Sequence, residues 1–295
     1  MTRESGEPLH PETGAFLTAL STLPPVGLSA PDFRGRRREL ATLFDSGSAN
    51  VTLSHESVAG VPVGIYSHGA DPPLRAIVFV HGGGWVAGDL VTHDGICRRI
   101  SAASSCVVIA VDYRQPPESP WPAAVVDVLA VIQALLDSAA YSEVAVAGDS
   151  SGAHVAVQAL LQLETRSPRV SAMLLIQPAC DPAMTGQSWT TLGVGHFLTA
   201  RAMTWFWDQY LAGAPRVPLW SADLSTLPAA RILTSSLDPS KDEAHVLADQ
   251  LKSARVSVEV TELRGFPHGC FTLPGAFPSA MPLLEDAAAW LGTHP

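Results

Sequence analysis

The sequence predicts an α/β fold, a doubly wound and mostly parallel sheet with helices on both faces, and three observations predict it. Short continuous apolar runs alternate with longer stretches of helical periodicity along most of the chain, the pattern left when parallel strands are buried on both sides. Two strand-like segments joined at a glycine stand ahead of that alternation and read as an antiparallel start to the sheet. Finally, 295 residues that are 47% hydrophobic and 16% charged supply a substantial core, and no break in composition divides them.

The elements follow in order. Up to about Asn50 the helical periodicity comes in pieces, with Phe16, Leu17 and Leu20 on one face, broken by Pro24, Pro25 and Pro31; short helices rather than core are expected there. VTLSHESV and VPVGIYSH, separated at Gly60, are the hairpin. AIVFV, CVVIAV, EVAVAG, SAMLLIQPA, ARILTSS and VSVEVTEL are the buried strands. Helical patterns fall at Thr92 to Ala103, Trp121 to Leu136, Ser151 to Leu163, Asp242 to Ser253 and Ala280 to Leu291. One stretch, Pro182 to Trp220, interrupts the alternation with many aromatic residues and a helix near Ala200 to Leu211. A long insertion after a strand's carboxyl end is where such sheets bind ligands, so it reads with the N-terminal helices as a lid.

Charge and cysteines exclude several classes. With 18 Lys and Arg against 28 Asp and Glu, the net charge of -10 lacks the attraction that dominates nucleic-acid binding. The one basic run, Arg34 to Arg38, reads as a solvated helix face. No segment is long and apolar enough for a membrane span, and the polar opening MTRESGEPLHPETG lacks a leader's pattern, so a cytoplasmic location is expected. Cys97, Cys106, Cys180 and Cys270 are scattered without framework or metal spacing and read as reduced core residues. No H-E-x-x-H or similar ligand cluster occurs, so neither metal nor cofactor is expected.

Chemistry enters with Gly148-Asp149-Ser150-Ser151-Gly152, which closes one apolar strand and opens an apolar helix. G-x-S-x-G at a strand-to-helix turn pushes a serine hydroxyl out of the backbone and aims a helix amino terminus at developing negative charge. Ser150 is the candidate nucleophile; Ser151 is offset from the glycine frame and is expected to offer its backbone N–H. His81-Gly82-Gly83-Gly84-Trp85 directly follows AIVFV. Its unblocked backbone N–H groups, Gly83 and Gly84 together with Gly82, fit an oxyanion hole, and His81 is expected to brace the loop. No Lys-Ser/Thr follows, so the loop is not a phosphate cradle.

A serine hydroxyl needs a base and the base an orienting carboxylate, in chain order Ser, acid, His for this kind of turn. His268, in Phe266-Pro267-His268-Gly269, sits just beyond a strand's carboxyl end, whereas His245 falls inside a helical pattern and His294 at the chain end. Asp238 follows ARILTSS one strand earlier; Asp242, inside the next helix, is expected to cap or brace.

Taken together, HGGGWVAGDLVTHD from His81, VDYRQPPESPWPAA from Val111, GDSSGA from Gly148, LTARAMTWFWDQYL from Leu198, DPSKDEA from Asp238 and FPHGCF from Phe266 resemble the hormone-sensitive-lipase-like esterases, the bacterial family IV carboxylesterases of the α/β-hydrolase fold. The resemblance runs in family order over nearly the whole chain. It implies a two-part cap over an eight-stranded sheet, divided here as residues 1–50 and 182–220 for the cap and 51–181 and 221–295 for the core. It places nucleophile, acid and base on Ser150, Asp238 and His268 and the oxyanion glycines on 82–84. Ser151-Gly152-Ala153, Gln115-Pro116-Pro117-Glu118, Ser240-Lys241 and Cys270 depart from the family's usual residues without removing a catalytic group.

The expected activity is hydrolysis of small-molecule carboxylic esters through an acyl-enzyme. Its rivals are acyl transfer or lactone chemistry with the same groups, and a non-catalytic receptor, which the complete triad disfavours. A homodimer is left open. Trp85, His196, Phe197, Trp205 and Trp207 are the expected pocket residues. Residues two apart on a helix diverge by about 200°, so only one of Trp205 and Trp207 can face it. Bulky rings beside the nucleophile would favour short acyl chains, roughly two to six carbons.

Overall fold

The structure is a computed structural model and describes residues 8–44, 50–69, 74–163 and 169–294. The opening MTRESGE, and residues 45–49 at the end of the expected N-terminal cap, lie outside the described residues. Helices α1 (Pro11–Ser21) and α2 (Ala30–Leu43) precede the hairpin of β1 (Thr52–Val58) and β2 (Val61–Ser67). The alternation follows: β3 (Leu74–Val80), α3 (Asp94–Ser104), β4 (Val107–Val111), α4 (Ala123–Asp137), β5 (Tyr141–Asp149), α5 (Ser151–Leu161) and β6 (Val170–Ile176). The insertion carries α6 (Gln187–Leu192) and α7 (Ala200–Leu211), and the chain ends with β7 (Ala229–Leu237), α8 (Lys241–Ser253), β8 (Val258–Pro267) and α9 (Met281–Thr293).

The eight strands form one sheet in the order β1-β2-β4-β3-β5-β6-β7-β8. β2 runs antiparallel to both β1 and β4, and all later pairings are parallel. Why unbroken apolar runs make these strands is visible in how they divide. Ala76, Val78 and Val80 of β3 pack into one layer while Ile77 and Phe79 pack into the other, because successive side chains point to opposite faces. The first layer is closed by α4, α5 and α8 through residues such as Val128, Val155 and Leu247. The second is closed by α3 and α9 through Ile96, Ile100, Leu284 and Leu291. Among the described residues no helix is long and apolar enough to cross a membrane.

Two details differ from the sequence reading. Phe16 of α1 and Leu40 of α2 are 2% and 1% exposed and belong to the second layer, so the N-terminal helices are anchored in the core rather than merely laid on it. The basic run is not a solvated face. Arg34 clasps Glu118 with both terminal nitrogens, at 2.8 and 2.7 Å, and donates from Nε to the Val86 carbonyl. Arg37 donates to Thr272 Oγ1 at 2.9 Å and meets His93 Nε2 at 3.1 Å. The helix docks because Arg34, Arg37 and Arg38 find acceptors on distant segments, while Arg36 is met nearby by Glu39 and the Pro24 carbonyl.

The strand order reverses about β3: β4 lies to one side of it and β5 to the other. A crevice opens at the carboxyl ends of strands where connections diverge this way. Into it run the loop after β3 and the turn after β5.

Candidate active site

Ser150 sits between β5 and α5 with φ 53° and ψ −119°, a backbone region that costs a non-glycine residue on the order of 1–3 kcal/mol. Its surroundings hold it there. The Ser150 N–H donates to the Ile176 carbonyl at 2.8 Å, and its own carbonyl accepts from Ala179 at 3.2 Å. Gly152, two residues on, packs so closely under β3 that a Cβ would lie 2.1 Å from the Val80 carbonyl oxygen. Only glycine lets the helix start that near the sheet, and that proximity sets the height of the serine hydroxyl.

His268 follows β8 and its Nε2 lies 2.9 Å from Ser150 Oγ; its Nδ1 lies 2.9 Å from Asp238 Oδ2. An ionised carboxylate only accepts, so Nδ1 carries the proton and Nε2 presents its lone pair to the serine. Asp238 is fully buried and its other oxygen accepts from the Ser240 N–H and hydroxyl, each at 2.8 Å. That fixes the carboxylate plane. Asp242 points elsewhere, accepting from the Ser188 N–H at 2.8 Å and so bracing α6. His245 lies 3.6 Å from Glu262 and His294 packs against Trp290, and neither borders the cavity that holds Ser150.

Of the glycine loop, Gly83 and Gly84 border the same cavity as Ser150 and His268, and among the described residues their N–H groups have no acceptor. The Gly82 N–H does have one, Asp149 Oδ1 at 2.8 Å. Gly82 is thus a structural anchor, not a free donor, which corrects the three-glycine expectation. The rest of the loop is tied as firmly. Trp85 donates its N–H to Ser151 Oγ at 3.0 Å, Ala87 its N–H to the Gly83 carbonyl at 2.9 Å, and Tyr113 its hydroxyl to the His81 carbonyl at 2.8 Å. His81 stacks on Tyr113 at 4.2 Å and its Nδ1 lies 2.9 Å from the Gly82 carbonyl. Burial drives its imidazole down to about 3, so it stays neutral. For Asp149, burial favours the neutral acid, but His93, Arg37 and the Gly82 N–H outweigh it and hold the carboxyl below its usual range.

The cavity encloses about 410 Å³. Its walls come from the N-terminal helices and the link between them, with Leu20, Leu28, Phe33 and Leu40, and from the insertion, with Phe197, Met203 and Phe206. The aromatic expectation is corrected here. Trp85 and Trp207 are fully buried and cluster with Tyr210 and His154 behind the loop, Trp85 stacked on Tyr210 at 4.5 Å and His154 edge-on to both tryptophans. Trp205 packs on Phe33 at 5.2 Å and is outside the cavity wall, as is buried His196. Of the five residues, Phe197 alone lines the cavity. The ring that reaches the site from α7 is Phe206, between the two tryptophans: Gly84, at φ 63°, has so little room that a Cβ would sit 2.3 Å from it.

Sequence reasoning also passed over Gln177, at the end of β6. Its Nε2 donates to Ser235 Oγ at 2.6 Å and to the Pro267 carbonyl at 3.1 Å, and its Oε1 accepts from the Gly269 N–H at 2.7 Å. One side chain thereby grips the backbone on both sides of His268. A lone polar residue ending an apolar strand is the only trace it leaves in the sequence.

Comparison with known proteins agrees with this fold. The family described as having the α/β-hydrolase fold matches residues 77–272. The carboxylic ester hydrolase LipN of Mycobacterium tuberculosis is 31% identical, over 91% of this chain and 78% of its own. An ethyl acetate hydrolase of Pseudomonas putida is 30% identical, over 88% of this chain and 91% of its own. Among solved structures, an esterase from the bacterial hormone-sensitive lipase family superposes with a TM-score of 0.86 at 26% identity, covering 100% of this chain and 99% of the other. Sequence, sheet order and likeness converge: this chain belongs to the α/β-hydrolase fold family, among its hormone-sensitive-lipase-like esterases.

Proposed function

We propose that the protein hydrolyses short-chain acyl or aryl esters through an acyl-enzyme on Ser150. The observation that carries this is the unbroken relay from Ser150 through His268 to Asp238, with both contacts at 2.9 Å, bordering a half-open cavity. Ser150 Oγ attacks the ester carbonyl as its proton passes to His268 Nε2. Negative charge gathers on the former carbonyl oxygen, where the free N–H groups of Gly83 and Gly84, joined by that of Ser151 at the start of α5, are the natural donors; each such donor contributes about 2.7–4 kcal/mol in a comparable hydrolase. The imidazolium, held by Asp238, then protonates the departing alcohol. Water, activated by the same histidine, releases the acid.

Residues 8–44 and 182–220 act in this reading as a cap that limits what enters. A cavity of about 410 Å³ is near the small end of ligand sites, and it must hold the acyl and alcohol parts together. Phe206 against Gly84, rather than a tryptophan, is the ring that shortens the acyl path. The similarity to an ethyl acetate hydrolase points the same way.

The test is Ser150→Ala with a fluorophosphonate probe and a short p-nitrophenyl ester. The variant is expected to lose labelling and to fall by about 10⁴ to 10⁶ in turnover, with its melting temperature retained. Residual turnover above about a hundredth of wild type would sink the assignment.

A further inference from the structure

The charge around the cavity is opposite to that of the protein. On a chain of net charge -10, the charged residues bordering the cavity are Arg36, Arg37 and Arg201 against a single acid, Asp149. Two of the three cations have local anions. Arg36 Nε lies 2.8 Å from Glu39 and its Nη2 donates to the Pro24 carbonyl at 2.5 Å, while the field of Arg37 falls on Asp149. Arg201, exposed at the cavity's edge, has neither a carboxylate nor a hydrogen-bond acceptor among the described residues.

Its position is unfavourable for the protein alone. Arg201 is the second residue of α7, whose first turn contains no acid, and a cation at a helix amino terminus opposes the macrodipole. Arg37 adds a second positive charge to the same wall, its Nη2 held by Thr272 and His93. Around these two groups the wall is apolar, with Val26, Leu28, Phe33, Leu198 and Met203. An anionic group entering the cavity would therefore meet Arg201, a cation with no carboxylate beside it, and the field of Arg37 on the same wall.

Building on the ester-hydrolase reading of Ser150, we propose that the preferred substrates are esters with an apolar body and a carboxylate away from the scissile bond, received by Arg201 with Arg37. The carboxylate belongs either to the acyl part, as in a dicarboxylic monoester, or to the alcohol part, as in an acylated hydroxy acid. Two matched pairs separate these sources: p-nitrophenyl hemisuccinate against p-nitrophenyl butyrate, and 4-acetoxybenzoate against phenyl acetate.

The readout is the anionic-to-neutral ratio of kcat/KM in each pair. In one pair that ratio is expected to fall about fivefold in Arg201→Gln, the scale of an exposed ion pair, to fall further in Arg201→Glu, and to shrink as salt is added. Calorimetric binding of 4-hydroxybenzoate against 4-hydroxybenzamide and of succinate against butyramide to Ser150→Ala gives the same comparison without turnover. It therefore decides the proposal even if no ester is cleaved, an outcome that would instead count against the catalytic reading. Ratios in both pairs, and in binding, that neither Arg201 variant moves would overturn the proposal.

Discussion

Replacing Gln177 by methionine keeps the length of the side chain and removes both of its polar ends. The Gly269 N–H would lose its acceptor at 2.7 Å, and a buried donor left unmet costs about 1–3 kcal/mol. Ser235 and the Pro267 carbonyl lose less, because they remain bonded to each other at 3.2 Å. The larger effect is on geometry. With both flanks released, His268 is free to drift from Ser150 and Asp238, and a misplacement of about 1 Å costs about 10²-fold in rate. Turnover of a short p-nitrophenyl ester at 25 °C is therefore expected to fall about 10- to 100-fold with little change in KM. Gln177→Glu, which keeps the acceptor for Gly269 but sets a carboxylate against the Pro267 carbonyl, should also lose kcat. Steady-state kinetics beside a thermal melt decide the matter. A lowered melting temperature with unchanged kcat in Gln177→Met would show that the residue serves the fold and not the position of the base.

Two further outcomes follow from the walls and the buried histidines. Phe206→Ala should move the acyl-chain optimum to longer esters, with up to about fourfold in kcat/KM for each methylene newly accommodated; an optimum unmoved across a p-nitrophenyl series would mean the wall lies elsewhere. His154 is 1% exposed among Trp85, Trp207 and Tyr210, and burial lowers its imidazole to about 3. The unfolded chain then takes up the proton first as pH falls, so this contribution to stability is present above about pH 6.5 and lost below it, by about 1.4 kcal/mol per pH unit. Urea unfolding at pH 7.5 and 5.0 should show a drop smaller by about 2 kcal/mol in His154→Phe than in wild type. Equal drops would remove His154 from the account of acid sensitivity.

What could be read from the sequence was whatever local chemistry writes down. The strands were legible because burial on both faces leaves unbroken apolar runs, and Ser150 because a serine between glycines at a strand-to-helix turn has few other uses. His268 and Asp238 followed from where strands end. The features that escaped depend on partners far along the chain. Arg37 meets residues 56 and 235 positions away, and no helical pattern reports that. Gln177 bonds across 58 to 92 positions. Trp85 was misplaced for a different reason: proximity to the glycine loop in sequence suggested proximity to the cavity, but its backbone at φ 61° turns the ring beneath the loop.

The cavity's outer walls belong to two segments that supply no strand to the sheet, α1 with α2 and the α6–α7 stretch. The protein thus separates the residues that make it fold from many of those that choose what it cuts. A mutational library drawn at Leu20, Leu28, Phe33, Phe197, Arg201 and Met203 could wander widely in selectivity while the strand ladder keeps each member assembled. Phe16 and Leu40, which pin the first of these segments to the sheet's second layer, are the positions such a library should leave untouched, because losing either would unmoor a wall rather than reshape it.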